Sequence, residues 1–220
     1  MNTAEVKNTL LHKERYDIQD LLTLMELLRQ PDGCPWDREQ THESIRQNLI
    51  EETYEVAEAI DLHSLPLLQE ELGDLLLQVV FHAQMEAEKG NFTFADVVNG
   101  ICKKLVERHP HVFLSAPAKD GADALASWDR VKQKEKNQKT VGESMDSIAR
   151  TMPSLMRAKK IAHKEAKLGQ AVENPYPDAA SAKAQIGKDL FAICAAADAY
   201  HLDPEELLYR ENERQIAQYL

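Results

Sequence analysis

Asn48–Ile60 reads NLIEETYEVAEAI, and an apolar line enters it from just upstream: Ile45, Leu49, position 52, Val56, Ile60. These offsets return to one side of a 3.6-residue helix, so the spacing predicts a long α-helix from about Thr41 to Leu62. Thr41, with Glu43 in the first turn, is the expected N-cap. The residue at position 52, in the middle of the line, is a glutamate. Carboxylates are seldom buried unless something pairs with them, so the question is what Glu52 meets.

The next helix supplies a partner surface. The short link DLHSLP, with Pro66 suited to a first helical turn, leads into a predicted helix from about Leu67 to Lys89, closed by Gly90. Leu72, Leu75, Leu76, Val79, Val80 and Phe81 make that helix apolar around most of its circumference, the pattern of a buried helix. One polar stripe survives on it: Glu71, Asp74, Gln78 and His82. So short a link makes the two helices antiparallel neighbours. Each then offers two acids one turn apart to the same space, Glu52 and Glu55 from the first, Glu71 and Asp74 from the second. Carboxylates gathered in a groove must either protonate or hold cations between them. Hard divalent ions take such oxygen ligands, and Mg²⁺ leans on a few carboxylates plus substrate phosphates. A solvated acidic face is the competing reading. Against it, the acids interrupt apolar stripes on both helices.

The rest of the chain bounds the setting. Its 220 residues carry 43% hydrophobic residues and a net charge of −11, enough for a core and unfavourable for binding a nucleic acid polymer through its phosphates. Cys34, Cys102 and Cys194 are far apart and lack metal-type spacing, so they read as reduced thiols of a cytoplasmic protein. No signal-type run opens the sequence, and the most apolar stretch, LLLQVVFHA, is about half of the ~20 residues a spanning helix needs, so no membrane partner is expected. Helical spacing recurs at Ile18, Leu21, Leu22, Met25 and Leu28 before the breaker PDGCPWD, again from about Thr93 to Pro110, and from about Leu125 to Gln138. Strand-type alternation is absent, and the expected fold class is all-α.

Two pairs follow the acids at i, i+4 spacing, Lys104 with Arg108 and Trp128 with Lys132, which alone would read as ordinary surface charge with a Trp packing anchor. Beside an acidic metal groove they are what a triphosphate requires, cations for the oxygens and an aromatic near the base. Four blocks in order, GCPWDREQTHESI, LIEETYEVAEAI, EELGDLLLQVVFHAQ and KLVERHPHVF, closely resemble the MazG family of nucleoside triphosphate pyrophosphohydrolases, over about Ile18 to Lys136. The resemblance implies an all-α helical bundle, a homodimer, Mg²⁺ dependence (Mn²⁺ as a substitute) and cleavage of the α–β phosphoanhydride of nucleoside triphosphates to monophosphate and pyrophosphate. Carried onto this sequence, it places the metal ligands at Glu52, Glu55, Glu71 and Asp74. Glu51 matches the acid that orients or deprotonates the attacking water. Lys104 and Arg108 match the phosphate-contacting segment, although two adjacent arginines are common there and this chain has Glu107-Arg108. Trp128 and Lys132 match the tail that closes over the nucleotide. Trp36 of CPWD either touches the base or packs, and packing is the preferred reading.

The second half departs from that pattern. QIGKDLFAICAAADAY, from Gln185, echoes ELGDLLLQVVFHAQ with Gly187 on Gly73, but Gln185 and Lys188 stand where Glu71 and Asp74 stood. The expected organisation is a catalytic domain at 1–139 and, at 140–220, a degenerate MazG-like repeat without a metal site, Arg214 keeping a trace of the basic segment. Two other function classes compete. A di-iron carboxylate bundle needs two Glu-x-x-His pairs, and the single one here is Glu39-Gln-Thr-His42. The alternative to the enzyme is a non-catalytic MazG-like regulatory or scaffold module, against which the intact acidic set argues.

Overall fold

The structure, a computed structural model, describes residues 3–114, 119–135, 140–170 and 174–220. Every regular element among them is a helix, as the patterning predicts. Two compact units divide at Glu107/Arg108. The boundary expected from the repeat was 139/140; compactness and repeat pattern divide a chain on different grounds.

The first unit holds α1 (Thr3–Leu11), α2 (Ile18–Arg29), α3 (Pro35–Glu39), α4 (Arg46–Asp61), α5 (Leu65–Glu88) and α6 (Phe94–Arg108), whose last residue opens the second unit. Met25 of α2, Ile45, and Val80, Phe81 and Met85 of α5 form its core, with Leu21, Leu22, Leu77 and Phe94 packed around them. Full burial of such a side chain contributes about 1.5–3 kcal/mol. Arg29 ties the pieces together. Its guanidinium donates to both carboxylate oxygens of Glu88 (2.7 and 2.9 Å), lies over the Phe81 ring, and also donates to the Asp37 carbonyl. α2, α3 and the end of α5 are thereby fixed to one another.

Local chemistry sets the helix ends. α2 starts on a capping box, Asp17 accepting the Asp20 amide while Asp20 accepts that of Asp17. α4 begins at Arg46, later than expected, because Thr41 and Ser44 cap each other's amides and hold residues 41–45 as a turn. Thr41 therefore caps that turn and not the helix. Ser64 caps α5 through the Leu67 amide, and Gly90, at φ +74°, closes it in the left-handed conformation glycine adopts freely.

Two expectations about burial change. The α4 line ends at Ala59, which is buried, while Ile60 is 54% exposed. All the buried residues of α5 lie in its second half; Leu72 and Leu76 of the first half are exposed, and so is Val79 at the start of the second. The apolar circumference read from the sequence is therefore more than this chain covers.

The second unit comprises α7 (Pro110–Phe113), α8 (Gly121–Glu135), α9 (Val141–Asp146), α10 (Ser154–Lys167), α11 (Ala179–Ala199) and α12 (Pro204–Ala217). α8 starts earlier than predicted because Asp120 accepts the Asp123 amide at 2.9 Å; residues 136–138, the expected end, lie outside those described. Met145, Ile148, Ile161 and Ile216 form the core of α9, α10 and α12. Arg157, fully buried beside it, donates to Glu213 and lies over the Tyr209 ring. α11 buries only Ala197.

Candidate functional site

α4 and α5 pack as a hairpin and bring Glu52, Glu55 and Glu71 together, each offering a carboxylate oxygen within 4.8 Å of the others. Glu52 and Glu71 are half-buried and Glu55 is exposed. Partial burial pushes the Glu52 carboxyl above the ordinary glutamate range, helped by the charges of Asp74 and Glu55, by a hydrogen bond with Glu55, and by the charge of Glu71. Burial also raises Glu71, with Glu55, Glu70, Asp74 and Glu58 adding repulsion. Asp74 stands one helical turn beyond Glu71, half-buried, and both of those glutamates feel its charge. The carboxylates stabilise one another's protonated forms, and a divalent cation would relieve the repulsion between them. All the donors are hard oxygens, suited to Mg²⁺ or Mn²⁺ and poorly to softer metals. The residues present fit such an ion.

The remaining predicted residues fall as follows. Glu51, on the exposed side of α4, lies outside the trio and accepts from Gln47 at 3.5 Å. Lys104 on α6 and Lys132 on α8 are exposed. In the second unit Arg108 donates through Nε and Nη2 to Glu135 (2.9 and 2.7 Å) and lies over the Trp128 ring, whose other neighbour is the edge of His109. Trp128 is thus half-buried in a cluster that occupies both it and Arg108. Trp36 is 59% exposed, so the packing expected of it is not made by the described residues.

One polar cluster was not assigned from the sequence. His42, in the turn before α4, meets His82 (Nδ1 to Nδ1, 2.7 Å) and Glu86 (Nε2 to Oε1, 2.6 Å). The spacing of His82 and Glu86, one turn apart on α5, was a signal; the third member, from a distant turn, had none.

The comparisons with known proteins give the chain its family. The model of the MazG nucleotide pyrophosphohydrolase domain matches residues 40–113. That span holds Glu51, Glu52, Glu55, Glu71, Asp74, Lys104 and Arg108, but neither Trp128 nor Lys132. The Thermotoga maritima protein named nucleoside triphosphate pyrophosphohydrolase/pyrophosphatase MazG is 36% identical over 217 residues, covering 91% of this chain and 83% of that protein. The chain belongs to the MazG family. The nucleoside triphosphate pyrophosphohydrolase of Escherichia coli K12 is 48% identical over 153 residues, 69% of this chain. An uncharacterised Bacillus subtilis protein, YabN, is 38% identical over 219 residues, 90% of this chain. The chain spans 45% of the length of the Bacillus protein and 58% of the Escherichia one. Membership of the MazG family gives the acidic hairpin its setting, since the matched region is the one that builds the groove.

Proposed function

We propose that the chain is a Mg²⁺-dependent nucleoside triphosphate pyrophosphohydrolase that cleaves the α–β phosphoanhydride, giving a nucleoside monophosphate and pyrophosphate. The observation that carries this reading is the convergence of Glu52, Glu55 and Glu71, with two of the three carboxyls held above their ordinary range by burial and crowding. Glu52, Glu55, Glu71 and Asp74 are the ligands in this proposal. The divalent ion they would hold would supply positive charge to offset that on the phosphate oxygens.

The chain's own residues supply the rest. Glu51, exposed beside the groove, accepts the proton of the attacking water. The water oxygen bonds to the α-phosphorus as the bond from that phosphorus to the bridging oxygen breaks, and the leaving group is pyrophosphate. Lys104 is free in solvent to reach phosphate oxygens, and Arg108 reaches them by exchanging Glu135 for phosphate. Trp128 and Lys132 close over the nucleotide. The nucleotides are cytoplasmic in this proposal; among the described residues no helix is long and apolar enough to cross a membrane. The exposed apolar residues of α5 and α6, Leu72, Leu76, Val79, Ile101 and Leu105 among them, support a homodimer. A monomer by light scattering at micromolar concentration would overturn that last point.

The deciding experiment incubates a panel of ribo- and deoxyribonucleoside triphosphates with the protein and Mg²⁺, then with excess chelator. Pyrophosphate and monophosphate should appear in the first and stop in the second. Orthophosphate as the product would contradict the assigned bond, and no turnover by folded protein would favour the non-catalytic scaffold.

A further inference from the structure

The polar stripe of α5 continues past the acids. Glu71, Asp74, Gln78, His82 and Glu86 follow one another at three- or four-residue steps on one face. Gln78 is buried, and its Oε1 has no hydrogen-bond partner; nor has His82 Nε2 one turn later, also buried. A buried polar atom left alone is costly, and native structures satisfy it with a neighbour or a bound water. Two such atoms, one turn apart and one turn from Asp74, mark a place where hydrogen-bond roles are still to be set.

Those roles are fixed from the far end. Glu86 accepts from Lys89 and from Asn91, each at 2.7 Å, and from His42; these three hydrogen bonds, His42's first, hold its carboxyl at about 2. Glu86 is therefore an anion at any ordinary pH, and His42 Nε2 must carry the proton between them. The 2.7 Å contact between His42 Nδ1 and His82 Nδ1 has room for one proton. With both rings neutral, that proton belongs to His82 Nδ1, and His82 Nε2 is a bare acceptor. When one proton is added, it lands on His82 Nε2 while the shared proton crosses to His42. The charge then rests on His42 against Glu86, and His82 Nε2 has become a donor.

We infer that His42, His82 and Glu86 form a one-proton relay in which His82 is a positioning residue: it turns from acceptor to donor toward Gln78 and so sets which end of the Gln78 amide faces the acidic groove. In the neutral state the amide NH₂ meets His82; in the protonated state the amide oxygen does, and the NH₂ turns toward the Asp74 side. The charges around the pair are Glu86, Glu88 and Lys89 on α5, Glu43 in the turn that carries His42, and Arg29 from α2, which Glu88 neutralises. Burial, and the neighbouring His42, lower the affinity of His82 for a proton.

Long-range ¹H–¹⁵N spectra of the intact, ¹⁵N-histidine-labelled protein test the relay directly, between about pH 5 and pH 9. His82 should show a protonated Nδ1 and a bare Nε2 at high pH. The Nε2 should gain its proton in the same step that makes His42 an imidazolium, because the pair titrates as one unit. Two independent steps, or a protonated His82 Nε2 at every pH, would overturn the relay, and this arm needs no variant. Glu86→Gln should lower proton affinity at the shared step about tenfold or more, the scale of one pKa unit. The consequence for chemistry rests on the proposed activity. The pH profile of kcat for pyrophosphate release should have a limb at the NMR midpoint, moved to lower pH in Glu86→Gln while KM stays the same. A limb that does not move overturns the link to Gln78. If the wild type releases no pyrophosphate, the proposed activity fails, while the NMR titration still decides the relay.

Discussion

The α5 helix and the α11 helix carry similar strings and have come to opposite electrostatic ends. In α5 the acids are crowded by other acids, and Glu52 and Glu71 are pushed above the glutamate range. In α11 the neighbouring acid is Asp189, which accepts from Tyr176 Oη and Gln185 Nε2 (2.7 Å each) and is held below the aspartate range by those bonds. Packing differs in the same sense. α5 forms a hairpin with α4 and buries its second half, whereas Phe191 and Ile193 of α11 are 76% and 61% exposed. A metal groove therefore needs more than acids at the right spacing. It needs a second helix whose acids crowd those of the first, so that a cation is the best remaining partner.

The sharpest way to break this comparison is to remove one crowded charge. Glu52→Gln should reduce pyrophosphate release by about 10²-fold or more, the scale on which one charge-stabilising group is lost from an active site. Because the missing charge was repelled by Asp74 and Glu55, the metal-free variant should be no less stable than the wild type, with unchanged helicity by circular dichroism. Undiminished turnover would remove Glu52 from the site.

A complementary injury belongs in the second unit. A Cβ on Gly142 of α9 would clash with the Tyr219 carbonyl, which is backbone and has little freedom to retreat. Gly142→Ala should cost about 1–3 kcal/mol, as overpacking does, read from the urea midpoint. Release per folded molecule should stay near the wild-type value. A proportionate fall in specific activity would mean that the α9–α12 packing takes part in the chemistry.

A smaller effect tests the crowding itself. For an acid whose folded pKa is raised, the folded state binds more protons than the unfolded one just above the ordinary value of 4.5. Metal-free stability from Glu52 and Glu71 is therefore present below that value and lost as pH rises through the raised values. Mg²⁺ binds the deprotonated carboxylates and displaces those protons. The rise in Tm on adding Mg²⁺ should thus be larger near pH 7.5 than near pH 5. An equal or reversed difference would show that the acids do not share the ion.

The hairpin and its acids were legible in the sequence because one helical period placed both pairs on facing surfaces, and a short link left no other arrangement. The start of α4 was not, because Thr41 and Ser44 satisfy each other and delay the helix to Arg46. Periodicity said that α5 is apolar all round, but periodicity measures what a helix can bury and not what one chain provides; Leu72 and Leu76 stay exposed. The partners of Arg108 were equally hidden. Its contact with Glu135 lies 27 positions along the chain, a separation that no local pattern bridges. His42 and His82, forty residues apart in sequence, could not be paired by any local pattern.

The smallest expected effect bears most directly on the two helices. Lys188 is exposed on α11, at the position where α5 has Asp74. An ammonium there repels a divalent cation, and Gln185, already donating to Asp189, offers no anionic ligand. If α11 lacks a metal site, Lys188→Ala should change stability by no more than about 0.5 kcal/mol, as exposed substitutions usually do, and leave specific activity unaltered. Asp74→Asn is the necessary companion, since it removes an anion from the groove that the first unit does possess. With α11 silent, that variant should lose pyrophosphate release and gain nothing back when Lys188 is also replaced. Substantial release from folded Asp74→Asn protein, and its increase on adding Lys188→Ala, would reveal chemistry in the second unit held back by a single charge.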